Sequence, residues 1–347
     1  MAKLKGDVLL VGSVGLHTAA DVFKLAGETI GDRISTIPDG EIGDRTFWII
    51  YVAYKLFLNN PSIETLVRPK GHEWRPTSMD DVFQFKLKDG VKSLKFGEIG
   101  YARAAAESYE TLKKARAAGQ IPADVRLQVA FPFPQDAVFL FFRHPEDHAV
   151  VMAAYEDTLA RELKLLFELV PPKELAVQFD VCTDLLEMEG TYYAWSRPDT
   201  VWERYIGPVH RLAPLIPPDA MLGYHFCYGT FPKKPVIEPK DLGLSIRFAN
   251  AAIAESGRKV DFIHLTVPVQ RTDDAYFKPL TELKADDTKV FMGVVNVDGA
   301  DASYKRLQAA RKYLPDCGVA AECGFGREPI EKIPGLLAIH KEIAAKL

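Results

Sequence analysis

The sequence predicts a single (β/α)8 TIM barrel over residues 1–347, with an insertion after the second strand. Three observations lead there. Short, β-branched apolar runs recur eight times along the chain. Most are followed by Gly, Pro or polar punctuation and then by a segment of helical periodicity. No repeat, low-complexity stretch or Pro/Gly/Ser linker divides the chain. Alternating strand and helix signals imply a parallel sheet with right-handed crossovers, and eight such units suffice to close a barrel. An open, doubly wound sheet is the alternative, but it usually has fewer strands.

In order, the expected strands are Val8–Val11, Arg33–Ile37, Arg126–Phe131, Leu175–Asp180, Met221–Cys227, Val260–Thr266, Lys289–Val295 and Gly318–Glu322. Helices are expected at 17–27, 47–58, 100–118, 147–169, 200–214, 241–256, 301–313 and 329–345. The second crossover is much longer than the others. It carries the Pro- and Trp-containing segment Val67–Met79 and the polar stretch Lys86–Lys95, which reads as a lid or as a surface excursion.

Composition narrows the function classes. With 48% hydrophobic residues and a net charge of −4, the chain has the content of an ordinary globular enzyme and no basic patch for nucleic acid. No run reaches the length of a membrane span, and the apolar stretch before Gly12 is too short for a signal peptide. Four cysteines in this length (Cys182, Cys227, Cys317, Cys323) fit a reducing compartment better than a disulfide framework, so a cytoplasmic location is expected.

A barrel of this kind works at the C-terminal ends of its strands. Those ends carry Gly12 and Ser13, Asp39 and Glu41, Asp180 and Cys182, and His225 and Cys227. Further on come His264 and Thr266, Asn296 and Asp298, and Glu322 and Cys323. Residues two apart in a strand share a face, so His225 and Cys227 present an imidazole and a thiol together. Cys323, at the end of the last strand, would complete a His/Cys/Cys set. Such soft and borderline ligands suit zinc and leave one position for a substrate. Packing alone would explain Cys227 and Cys323 as small buried hydrophobes. Arg271 and Arg327 follow site strands and could fork onto a carboxylate, or pair at the surface. Phe131, Phe133, Tyr192, Tyr193, Trp195, Tyr224 and Tyr228 could wall an apolar pocket or serve the core.

These residues resemble cobalamin-independent methionine synthase, within the barrel superfamily that also holds uroporphyrinogen decarboxylase. Val11-Gly12-Ser13 is similar to that family's Ile-Gly-Ser. Asp39-Gly40-Glu41 with Arg45 is similar to its His-Gly-Glu…Arg, and Gln178-Phe179-Asp180 to its Gln-Ile-Asp. His225-Phe226-Cys227-Tyr228 resembles its His-Met-Cys-Tyr zinc motif, and Glu322-Cys323-Gly324 its Asp-Cys-Gly.

The resemblance runs through the chain in order. It implies a zinc site at His225, Cys227 and Cys323, and substrate contacts at Glu41 and Asp180; Ser13, Arg45 and Tyr228 of the same motifs, with Arg271 from its place after a strand, are the further candidate substrate residues. Asp298 and His264 are the candidate catalytic residues. The departures are as informative. Thr266 stands where the family has a zinc-binding Glu, with His264 on the same face as a possible replacement. Asn296-Val297-Asp298 stands where the family has a proton-transferring His. The expected activity is zinc-dependent alkyl or methyl transfer involving a small-molecule thiol, with a substrate other than that of methionine synthase. A lyase or decarboxylase on the same scaffold and a non-catalytic metabolite-binding barrel are the alternatives.

Overall fold

A computed structural model describes residues 6–69, 81–190, 193–229 and 236–347. Ten strands are present among them: β1 Val8–Leu9, β2 Thr36–Pro38, β3 Ile63–Val67, β4 Gln84–Leu87, β5 Arg126–Pro132, β6 Leu175–Val181, β7 Met221–Phe226, β8 Phe262–Thr266, β9 Lys289–Val295 and β10 Gly318–Ala321. Eight of them form one parallel sheet in the order β1-β10-β9-β8-β7-β6-β5-β2. A parallel bridge between Val8 and Ile34 draws β1 against the entry to β2, so the sheet is a nearly closed (β/α)8 barrel.

The strands are buried on both faces, as the unbroken burial of β6 and β9 shows. Inside the barrel, Leu9, Val11, Ala176, Phe262, Phe291 and Ala320 make a core of their own. The Phe262 ring fits only because β7 offers Gly223: a Cβ there would lie 2.2 Å from the ring. Nearer the C-terminal mouth the lumen turns polar. Gln128 Nε2 donates to the Leu10 and Val11 carbonyls, and Gln178 Nε2 donates to Val11 O and to Asp180 Oδ1, both at 2.8 Å. Buried amides survive in such a place only when paired.

The insertion lies between β2 and β5. It contains a 3-10 turn at Gly43–Phe47, the helix Ile49–Val52 that widens into a π turn at Ala53–Phe57, the antiparallel pair β3–β4, and the helix Tyr101–Ala117. The β3–β4 pair was not expected from the sequence. It docks through aromatic rings, with Phe57 against Phe85 at 5.7 Å and against Phe142 at 5.1 Å. The helix Tyr101–Ala117 starts at Gly100 without a side-chain cap of its own. The buried carboxylate of Glu162 instead accepts from the amides of Ile99, Gly100 and Ala102. Of the Val67–Met79 segment, residues 70–79 lie outside the described residues.

Helix and strand expectations agree with the structure to within a few residues. The exceptions are the short helices Pro134–Val138 and Thr183–Met188, which were not expected, and the β8–β9 crossover, where no helix was expected. It holds only the one-turn helix Asp274–Phe277, capped by Asp273 Oδ1 accepting from Tyr276 N at 3.0 Å, and a 3-10 turn at Lys278–Glu282. Elements that short leave no readable period in the sequence.

Candidate metal centre

The end of β7 presents the first two residues of the centre. His225 faces the mouth of the barrel, and Cys227, one residue past the strand, is anchored by its amide donating to Val181 O at 3.1 Å. Cys323 comes from the far side of the sheet order, two residues beyond β10. Its loop is tied to β1: Phe325 N donates to Ser13 O at 2.9 Å and Gly326 N to Ser13 Oγ at 3.2 Å. A side chain at position 324 would meet Ser13 Oγ at 2.5 Å, which explains the Gly after the cysteine.

The result is a group in which the ligand atoms of His225, Cys227 and Cys323 all lie within 4.8 Å of one another. His225 Nε2 and Cys323 Sγ are 3.6 Å apart. Contact with the Cys182 thiol, then burial, holds the Cys227 thiol well above its usual range, while burial draws His225 down. Neutral thiols and a neutral imidazole converging in a buried place are donors a borderline dication would ionise and bind. The residues therefore fit zinc.

No fourth ligand joins this group among the described residues. Thr266 turns its Oγ1 away to donate to Glu322 O at 2.8 Å. His264, expected as a possible replacement ligand, lies outside the group. Both of its ring nitrogens are engaged, Nδ1 with His225 Nδ1 at 2.7 Å and Nε2 with Ala321 O at 3.0 Å.

The opposite side of the mouth is acidic. Asp39 is forked by Arg45, at 2.7 and 3.2 Å, and accepts from Ser108 and from the Glu41 amide. Burial pushes the Asp39 carboxyl up, but Arg45 and these hydrogen bonds outweigh it and hold Asp39 below the usual range. Glu41 is raised to about 7 by burial, which outweighs the pull of the Arg45 guanidinium; Asp39 adds to the rise and Arg327 opposes it. Its backbone is left-handed, at φ 49°, a conformation unusual for a non-glycine residue and found at functional turns. Asp180 is raised well above the carboxylate range by burial first and by Glu41 next.

Between the two sides lies a cavity of about 110 Å³. Its polar floor includes Ser13, Glu41, Asp180, His225, Cys227 and Cys323. Its upper wall is apolar, from Phe47, Trp48, Ile49 and Ile50 of the insertion and from Val82, Leu140, Leu186 and Val236. Sequence reasoning overlooked that wall. The apolar run Phe47-Trp48-Ile49-Ile50, directly after the Asp-Gly-Glu turn, was the available signal. A wider cavity of about 670 Å³ adjoins it, sharing Val236, Cys323, Gly324 and Arg327.

Several expected residues sit elsewhere. Arg45 faces Asp39 rather than the cavity. Tyr228 is buried with its hydroxyl on Ser245 at 3.0 Å. Arg271 is held by Glu238 at 3.2 Å and by Pro239 O at 2.8 Å. Asp298 borders the wider cavity, but both of its oxygens are taken by Arg306 at 2.7 Å, which does not suit a proton donor. Phe131, Phe133, Tyr193, Trp195 and Tyr224 pack in the core or around its edge rather than on the cavity; Tyr192 lies outside the described residues. Cys182 does line the cavity, set there by Asp136 accepting from its amide at 3.1 Å.

No protein-family model matches the chain, and no curated protein does. Among solved structures, a B12-independent methionine synthase from Shewanella sp. W3-18-1 in complex with selenomethionine is similar at TM-score 0.58 and 15% identity. That alignment covers 99% of this chain and 96% of the other. The carboxyl transferase domain of Rhizobium etli pyruvate carboxylase aligns at TM-score 0.27 and 14% identity, over 87% of this chain and 59% of that one, too weakly to bear on function. At 15% identity the first likeness is one of fold: this chain shares the barrel fold of that structure.

Proposed function

We propose that this protein is a zinc enzyme that transfers an alkyl group, such as methyl, to or from a small thiol. The observation that carries the reading is the convergence of His225, Cys227 and Cys323 on the floor of an apolar-walled cavity. These three residues would hold the zinc. When bound, the metal would lower the pKa of a substrate thiol from its usual value near ~8.5, making it a nucleophile at neutral pH.

The rest of the work falls to the chain itself. The wall from Phe47 to Ile50, with Leu140 and Leu186, excludes water and strengthens every polar contact on the floor. Asp180, oriented by Gln178, offers a hydrogen bond to the polar head of a substrate. Glu41, near 7, is suited to take up or return a proton at neutral pH. The apolar wall favours a thiol with an apolar body. The likeness in fold to a methionine synthase supports the transfer of a methyl group.

Elemental analysis of protein purified without chelator or added metal tests this directly. About one zinc per chain, lost in Cys227→Ala and in Cys323→Ala, is the expected result. Protein that stays metal-free after zinc is supplied would exclude alkyl transfer of this kind. The raised carboxyls of Glu41 and Asp180 would then favour the lyase reading, in which Asp180→Asn abolishes turnover and metal is irrelevant.

A further inference from the structure

We infer that His264 is the positioning residue of the metal centre, selecting the tautomer of His225 whose Nε2 lone pair faces the two thiols. The inference rests on the zinc reading for its purpose, but its geometry stands without a metal.

His264 lies directly across from His225 in the β7–β8 register, and both side chains are buried. Its Nε2 is 3.0 Å from the carbonyl of Ala321. A carbonyl can only accept, so that nitrogen carries a proton and donates it. A second proton on the ring would place a full charge on a side chain with 0% exposure, beside a site built for a dication. The remaining nitrogen, Nδ1, is therefore an acceptor. It stands 2.7 Å from His225 Nδ1, which must then be the donor. A neutral imidazole protonated at Nδ1 bears its lone pair at Nε2, and His225 Nε2 is the nitrogen that faces Cys323 Sγ at 3.6 Å.

Only one neutral arrangement of protons satisfies all of these contacts. The partner of a metal-binding histidine is commonly a carboxylate, a carbonyl or water. Here a second imidazole does this work and passes the constraint on to a carbonyl.

The same chain of contacts joins the two halves of the centre. Ala321 ends β10, two residues before Cys323, whereas His264 is on β8; β9 lies between them. The ring reaches across β9 at Gly293, where a Cβ would lie 2.9 Å from His264 Nε2 and 3.1 Å from Ala321 O. Gly293 thus leaves open the space through which the His225 strand is tied to the strand leading into Cys323.

Two measurements test this. In metal-free protein with ¹⁵N-labelled histidine, two-bond ¹H–¹⁵N correlation reads the tautomer of each ring, with His225 assigned by its loss in His225→Gln. Protonation at His225 Nδ1 is expected; protonation at Nε2 overturns the inference. Zinc affinity is then measured by competition with a chromophoric chelator. His264→Phe and Gly293→Ala should each weaken it by roughly 10- to 100-fold. His264→Asn, which restores an acceptor towards His225, should recover much of that loss. Affinities within twofold of the parent in both His264→Phe and Gly293→Ala also overturn it. If the unmodified protein binds no zinc, the proposed function fails, whereas the tautomer in metal-free protein still decides the role of His264.

Discussion

The two sides of the barrel mouth solve opposite electrostatic problems. On the side of β7, β8 and β10, burial and contacts between the thiols hold His225, Cys227 and Cys323 towards their neutral forms as they converge. On the side of β2 and β6, three acids crowd together, and Arg45 forks onto Asp39. Burial, and then crowding by a neighbouring acid, pushes Glu41 and Asp180 towards their neutral forms. One side offers donors that fit a dication, and the other can exchange protons and hydrogen bonds with whatever enters the cavity. Burial is common to both; what differs is where the compensating partner points.

Removing a thiol should break this contrast most severely. Cys227→Ala or Cys323→Ala leaves two of the three donors, and metal binding should fall by more than about 100-fold. Chelator competition would show it, and a parent protein stripped of zinc should lose transfer activity and regain it on adding the metal back.

Next in size is the Asp39–Arg45 pair. Both side chains are largely buried, and Asp39→Asn leaves the guanidinium uncompensated, at a cost of about 3–5 kcal/mol in denaturant unfolding. The freed Arg45 should turn towards Glu41 and lower its pKa, which carboxyl titration by NMR would reveal.

Glu41 itself supplies a prediction with a sign. Its carboxyl is raised from 4.5 to about 7, so between those values the folded protein binds the proton that the unfolded chain releases. Its contribution to stability is therefore fully favourable below about pH 4.5 and is lost as pH rises through about 7. Glu41→Gln should stabilise the ligand-free protein at pH 8 by about 1–3 kcal/mol and flatten that part of the pH profile. A variant as pH-sensitive as the parent would refute the assignment. Arg271→Ala should do least. Its ion pairs with Glu238 and Asp273 are partly exposed, so a change under about 1 kcal/mol and unaltered zinc affinity are expected.

Much of this contrast was legible in the sequence. His225 and Cys227 share a face because strand alternation is a local property, and the His-Phe-Cys spacing declares it without any tertiary information. Gly12, Glu41, Asp180 and Cys323 were assigned to the cavity because each follows an apolar run at a strand's C-terminal end. Tyr228, Arg271 and Asp298 met the same criterion, yet they found partners in Ser245, Glu238 and Arg306. Nearness to a strand end locates a residue to within a few ångströms but says nothing of which neighbour claims its polar atoms. The apolar wall was missed because the insertion folds back over the mouth through the cluster of Phe57, Phe85 and Phe142, a long-range contact with no local period.

The amino-acid sequence by itself determined the eight-fold alternation, the strand ends that bear chemistry and the pairing of an imidazole with a thiol. These follow from periodicity and residue type, which act over a few bonds. Only the tertiary structure decided that Cys323 meets His225, that both ring nitrogens of His264 are engaged by His225 and Ala321, and that Arg45 forks onto Asp39. Each of those depends on how far one strand is staggered against another as the barrel closes. Such offsets are set by packing across the whole sheet, as Gly223 beneath Phe262 and Gly293 beneath His264 illustrate.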